Sequence, residues 1–236
     1  MRPTNNDEMN VKELNQNYSK RSFQDRLGKL FEEFSSEEIL VTSSFGTTSM
    51  VLLHLLSKVK PGHPVHFIDT SYHFAETLAY RDELVKQLGL KVIEVKAENK
   101  KNRFTRENQT WRFNQDLCCF INKVEPLDRI KANYKIWVSG LLGFQNIHRK
   151  QLDIFEAKED IVKFHPLIDM TKEDLNLYRS LFELPTHGLI HKGYDSVGCT
   201  HCTKKGTGRE GRWIDLDKTE CGIHDDQAWI KNRMAG

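Results

Sequence analysis

Apolar residues recur at helical spacing in the first 36 positions, at Leu14, Phe23, Leu27, Leu30, Phe31 and Phe34, within an otherwise polar stretch. That period predicts a helical lead-in packed on the body of the protein. The pattern then changes. Short apolar runs rich in β-branched residues, at 38–43, 65–69 and 91–95, alternate with longer periodic stretches. The runs predict strands. The stretches predict a buried helix over 50–56 and an amphipathic helix over 74–88 that ends at Gly89. Strand and helix alternating at this spacing predict an α/β fold, a mostly parallel sheet with flanking helices. Further on, 135–139 and 161–165 read as two more strands, and Thr171 caps a helix running to about Phe182. The polar segment 97–117 reads as an exposed excursion, and Cys118 and Cys119 open a helix running to about Asn133. From Pro185 onward periodicity fades and glycines recur, so a loop-rich tail is expected.

These boundaries give a lead-in over 1–36, a nucleotide-binding α/β unit over 37–190 and a C-terminal segment over 191–236. At 236 residues and 38% hydrophobic content, one domain with an appended tail is expected. The net charge of +2 is too near neutral to imply nucleic acid, although a local basic patch could serve a small anion. No apolar run approaches the roughly 20 residues of a membrane span, and the first ten residues are polar, unlike a signal peptide. The expected location is the cytoplasm, where thiols stay reduced and cysteine pairs read as metal or catalytic sites.

Small residues between the first strand and its helix, Ser44-Phe45-Gly46-Thr47-Thr48-Ser49, present backbone N–H groups and a helix N-terminus to an anion. An ordinary capped turn would have the same composition. The stretch resembles the pyrophosphate loop of ATP pyrophosphatases, with Ser44, Gly46 and Ser49 in register. Thr48 stands where that loop has an acid, and Phe45 where it has a glycine. A nucleotide-binding loop that does not hydrolyse ATP is the expectation.

Five cysteines remain to be explained. Cys118 and Cys119 are adjacent, and side chains of neighbouring helical residues point about 100° apart, so both can reach one multi-metal cluster. Cys199 and Cys202 form a C-x-x-C pair in a glycine-flanked loop, a half-site for zinc or iron–sulfur, or a redox dithiol. Zinc and a cluster fit equally at this point. Cys221 stands alone between Glu220 and Gly222, three residues before His224. With Lys204, Lys205, Arg209, Arg212 and Lys218 nearby, it reads either as an activated thiolate or as a cysteine in a solvated basic tail.

Taken together, the stretches Cys118–Leu127, Gly198–Thr203 and Glu220-Cys221-Gly222-Ile223-His224 resemble the assimilatory sulfonucleotide reductases, which act on adenylyl sulfate (APS) or phosphoadenylyl sulfate (PAPS). The double cysteine pair is similar to the iron–sulfur APS reductases. The resemblance implies a PP-loop type, adenine-nucleotide-hydrolase-like fold and a [4Fe-4S] cluster on Cys118, Cys119, Cys199 and Cys202. It implies that Cys221 attacks the sulfur of APS, releasing AMP, and that thioredoxin or glutaredoxin then releases sulfite, in sulfate assimilation and cysteine biosynthesis. By the same resemblance Lys123 and His224 join Cys221 as catalytic residues, while Ser43, Ser44, Gly46, Asp69, Thr70, Arg149, Arg209 and Arg212 bind the substrate. Leu142-Gly143 stands where many members have two arginines, so Arg149 is left to make that contact. No thioredoxin-like domain follows, so the reductant is expected from outside. PAPS or dual APS/PAPS use is the near alternative, and a zinc-containing tRNA thiolation enzyme or a cluster-bearing sensor is the remote one. Neither nucleic acid nor membrane is expected as a partner, and homo-oligomerisation stays open.

Overall fold

The computed structural model describes residues 10–158, 161–214 and 220–224. Lys218 and the outermost parts of the lead-in and the tail lie outside them. The lead-in is two helices, α1 (Val11–Ser19) and α2 (Phe23–Glu33), each started by a side-chain cap, Asn10 and Ser22. The sheet follows as β1 (Ile39–Thr42), β2 (Pro64–Asp69), β3 (Lys91–Lys96), β4 (Ile136–Val138), β5 (Phe155–Ala157) and β6 (Val162–Phe164). Their order is β3-β2-β1-β4-β6-β5, parallel except for β5, which runs antiparallel to β6. Helices α3 (Met50–Val59), α4 (Ala75–Leu88), α5 (Asn99–Glu107), α6 (Gln115–Cys119), α7 (Glu125–Lys131), α8 (Ile147–Lys150) and α9 (Lys172–Leu181) are the other α-helices among the described residues.

The sheet is buried on both faces, and the period of two in its strands shows how. Ile39 and Val41 of β1 and Ile136 and Val138 of β4 face a large core with α2 and α3. Leu40 and Trp137 face a smaller core with Leu127 of α7. The expected PP-loop type architecture is therefore present. Gly89, at φ 62°, ends α4, and Thr171 with Asp174 forms a capping box on α9, both as expected. Among the described residues after Pro185, only short 3₁₀ turns at Ile190–Lys192 and Thr200–Cys202 are regular. No helix among the described residues is long and apolar enough to cross a membrane.

Two expectations are corrected, and one strand was not foreseen. The edge strand β5 is too short to stand out as a periodic run. Segment 97–117 is not an excursion but holds α5, whose inward contacts are polar: Thr105 is fully buried and bonded to Tyr72 Oη at 2.9 Å and Asn122 Nδ2 at 3.0 Å. Apolar periodicity cannot report a helix anchored by hydroxyls. The cysteine pair does not open its helix either. Asn114 caps α6 by accepting from Leu117 N, so Cys118 and Cys119 end that element. The chain continues through a wide π turn, Phe120–Val124, into α7. Pro126 explains the widening: it has no N–H to return to the Asn122 carbonyl, and its ring crowds that group.

β1 is the point where the sheet reverses, with β2 on one side and β4 on the other. A crevice therefore opens at the carboxyl ends of β1 and β4, where open α/β sheets bind ligands.

Candidate active site

The crevice is a cavity lined by the ends of β1 and β4, the Ser43–Ser49 loop and the C-terminal segment. The loop's backbone turns at Phe45, at φ 48°, a left-handed conformation that glycine adopts freely. Phe45 tolerates it because its ring is fully buried, edge-on to Phe67 at 5.5 Å. The substitution noted in the sequence thus keeps the turn and exchanges conformational ease for core packing. Thr47 Oγ1 donates to Asp195 O at 2.6 Å, tying the loop to the C-terminal segment.

Of the expected substrate-binding residues, Ser43, Ser44, Gly46, Arg149, Arg209 and Arg212 line this cavity. Asp69 and Thr70 do not. Asp69 accepts from Ser71 N at 2.8 Å and pairs with Lys96 at 3.1 Å, and Thr70 faces the thiols, 3.3 Å from Cys199 Sγ. Among the described residues no carboxylate lines the cavity, whereas Lys123, Arg149, Arg209 and Arg212 do. The cavity is built for an anion.

Arg212 is buried, with its guanidinium carbon 4.4 Å from the centroid of Trp213, which itself holds φ 52°. A Cβ on Gly198 would run into that guanidinium, so any other residue before Cys199 would require Arg212 to move. Burial pulls the Arg212 pKa down, opposed by the charges of Cys221, Cys199 and Cys202. Its Nε and the Nδ1 of His224 are buried without a hydrogen-bond partner. Orphaned polar atoms in a cavity wall are what a ligand's polar groups would satisfy.

Cys221 lies in the same wall, 9% exposed, with Lys123 Nζ donating to its Sγ at 3.2 Å. The π turn carries Lys123 into this position. Its ammonium is held above the usual lysine range: burial opposes the charge, but Cys199, Cys221 and Cys119 outweigh burial. The Cys221 thiol is pushed well below its ordinary value, first by a hydrogen bond with Cys119, against burial, then by Lys123, the Ile223 N–H and Arg212. His224 closes the turn by donating its N–H to Cys221 O at 2.8 Å, and its ring stacks on Trp137 at 5.4 Å. Burial keeps its pKa well below the normal histidine value, so it is neutral.

Cys118, Cys119, Cys199 and Cys202 line a second cavity directly beside the first, which shares Lys123, Cys199, Arg212 and Cys221 with it. Trp111 and His201, stacked at 4.1 Å, also line it. Burial, then Cys199, pushes the Cys118 thiol up to about 12. Among the described residues, no three His, Cys, Asp or Glu side chains are grouped to hold one metal ion. The donor set here is four sulfurs from two segments, with two cations against them.

Sequence reasoning missed Gln145 and Asn146, which follow β4, and the partners of Glu220. The Glu220 side chain is 3% exposed and bonded to Arg149, Arg209 and Asn146. Arg149, expected at the substrate, directs Nε and Nη2 to Glu220 and Nη1 to Gln145 Oε1. The position of Glu220 next to Cys221 was the available signal. Leu142 is fully buried, and a Cβ on Gly143 would meet Ile168 O at 2.6 Å, so the backbone here leaves no room for a side chain at Gly143.

Residues 38–205 match the phosphoadenosine phosphosulfate reductase domain. An adenosine 5'-phosphosulfate reductase of Chelativorans sp. (strain BNC1) is 40% identical over 192 residues, covering 79% of this chain and 78% of that protein. One of Halalkalibacterium halodurans is 33% identical over 226 residues, covering 92% and 97%. The crystal structure of the phosphoadenylyl-sulfate reductase from Candida auris, a phosphate complex, superposes with a TM-score of 0.71 at 26% identity, covering 82% of this chain and 96% of that one. A thiol held beside a cationic cavity at the switch point of a PP-loop sheet agrees with these likenesses: the chain belongs to the phosphoadenosine phosphosulfate reductase family, the sulfonucleotide-reducing oxidoreductases.

Proposed function

We propose that this protein reduces adenylyl sulfate to sulfite and AMP through an S-sulfonate on Cys221. The observation that carries the reading is the Lys123–Cys221 contact of 3.2 Å in the wall of the nucleotide cavity. The Cys221 thiolate attacks the sulfur of the substrate. A sulfur–sulfur bond forms, the bond from sulfur to the phosphate oxygen breaks, and its electron pair leaves on AMP. Arg209 and Arg212 hold the phosphosulfate oxygens, and fixed cations stabilise charge as it moves onto the departing phosphate. Lys123 keeps Cys221 ionised until attack, and the N–H of neutral His224 is available to hydrogen-bond the leaving phosphate. Ser43, Ser44 and Gly46 hold the nucleotide. A dithiol of the thioredoxin or glutaredoxin class then attacks Cys221 Sγ, expels sulfite and resolves the mixed disulfide, so the dithiol is oxidised and Cys221 is restored.

The four thiols of the second cavity fit a [4Fe-4S] cluster. Such a cluster takes one thiolate at each corner rather than converging four on one ion, and Lys123 and Arg212 offset its negative charge. When bound, it supplies a tether between α6 and the C-x-x-C loop and a fixed charge beside Cys221. APS is favoured over PAPS by the names of the relatives together with this thiol set; the Candida auris neighbour is the reason to test both. The setting is the reducing cytoplasm, in sulfate assimilation.

The test is to supply the purified protein with APS or PAPS and reduced thioredoxin, and to measure sulfite, AMP, iron and acid-labile sulfide. Sulfite and AMP should appear in equal amounts from APS, with about four irons per chain. Bound zinc would reject the cluster, preferential turnover of PAPS would move the reading to that substrate, and no sulfite from either would reject the activity.

A further inference from the structure

Glu220 has no part in the chemistry above, yet it is among the most completely bonded charged groups near the cavity. Its Oε1 accepts from Arg149 Nε at 2.6 Å and Asn146 Nδ2 at 2.7 Å, and its Oε2 from Arg149 Nη2 at 2.7 Å and Arg209 Nη2 at 3.0 Å. The receptor is organised without it. Asn146 Oδ1 caps α8 by accepting from Arg149 N at 2.7 Å, Arg149 Nη1 reaches Gln145 Oε1, and Gln145 Nε2 donates to Thr48 Oγ1 at 3.2 Å. A continuous line of side chains therefore runs from the nucleotide loop after β1 to the residue that carries Cys221.

We propose that Glu220 is the positioning residue that fixes Cys221 relative to the bound nucleotide, through Arg149, Gln145 and Thr48. The inference rests on the assignment of Cys221 above. Its physics is that of a desolvated, bidentate carboxylate–guanidinium pair, which fixes distance and orientation together. Thr48 takes part because its hydroxyl can accept from Gln145 while presenting no negative charge to the substrate. Burial opposes the charge of Glu220, but Arg149 and then Arg209 hold its carboxyl below the usual range, so it is ionised at neutral pH. A glutamine cannot substitute, because its amide nitrogen would face a guanidinium donor.

The test uses the full chain with Glu220→Gln, Arg149→Lys and the double variant. Single-turnover formation of the Cys221 adduct from APS should fall on the order of a hundredfold in Glu220→Gln, the scale of a 1 Å misplacement. Affinity for AMP, which needs the cavity but not the nucleophile, should stay within about threefold. The double variant should be no slower than the slower single one, as for residues acting as a unit. Labelling of Cys221 by iodoacetamide, followed on its peptide, should rise about tenfold as the thiol leaves its buried place. That arm needs no sulfonucleotide, so it reads the positioning even if wild type forms no adduct, which would reject the activity instead. Unchanged adduct formation and labelling in Glu220→Gln would overturn the proposal. So would AMP affinity falling in step with the rate, or multiplicative losses in the double variant. If Glu220→Gln does not fold, Arg149→Lys, which keeps the charge but not the fork, should give the same loss of adduct formation and the same rise in Cys221 labelling.

Discussion

Two regions meet at the cavity, and they are held by different physics. The Ser43–Ser49 loop is fixed by packing and backbone bonds: a buried Phe45 ring, an edge contact with Phe67, and Ser49 Oγ donating to Gly46 O at 2.8 Å. Among its described residues the C-terminal wall has almost no regular structure. It is fixed by buried charges: Glu220 on Arg149, Arg212 on Trp213, Lys123 on Cys221. The first region should therefore respond to volume and strain. The second should respond to charge, pH and ligands. The difference suits the tasks, since a nucleotide loop needs a stable shape and a thiol that must accept and release an SO₃ group needs a tuned field.

The largest effect should come from the thiols of the second cavity. Changing Cys118, Cys119, Cys199 or Cys202 singly to Ser should remove iron outright and lower the melting temperature, because the proposed ligation would join α6 to the C-terminal loop. Full iron content in Cys199→Ser, measured by metal analysis, would take that residue out of the ligand set.

Next comes Glu220. Breaking its buried pair should cost about 3–5 kcal/mol at neutral pH. Its folded pKa is depressed, so the stabilisation is present above the unfolded carboxylate value of about 4.3 and is lost as pH falls through the folded value. Urea midpoints measured across that range should converge for wild type and Glu220→Gln in acid. A constant gap at every pH would show that the carboxylate charge is not what matters.

A smaller loss is expected at Arg212. Arg212→Ala should reduce catalytic efficiency about tenfold or more, the equivalent of a charge-assisted bond of about 1.5–3 kcal/mol. Lys204→Ala, exposed on the same segment, should change it little. Equal effects would point to a diffuse basic field.

The smallest effect should come from the packed side. Phe45→Gly gives up a buried ring but relieves a left-handed backbone, leaving a net loss of about 2 kcal/mol. Iodoacetamide labelling of Cys221 should not change in that variant. Coupled loss of both would erase the distinction between the two regions.

Sequence reading recovered what local chemistry dictates. Gly89 ends α4 and Thr171 starts α9 because a cap is a property of a few adjacent residues. The strand–helix alternation gave the sheet and hence the cavity's place. It missed what depends on distant residues. Polar α5 is held by Thr105 through Tyr72 and Asn122, and β5 by its pairing with β6. The cysteines were visible as pairs, but the reach of Lys123 to Cys221 depends on the π turn at Pro126, which no spacing rule reports. Glu220 was in view beside Cys221, and only the fold reveals that its carboxylate meets Arg149 from α8.

The central claim is that Cys221 carries the sulfur intermediate, and mass mapping after one turnover tests it most directly. Wild-type protein mixed with APS in the absence of a dithiol should release one AMP per chain. The peptide containing Cys221 should then gain about 80 Da, the mass of SO₃, and reduced thioredoxin should reverse the gain with release of sulfite. A gain on Cys199 or Cys202, or sustained turnover by Cys221→Ser, would contradict the account.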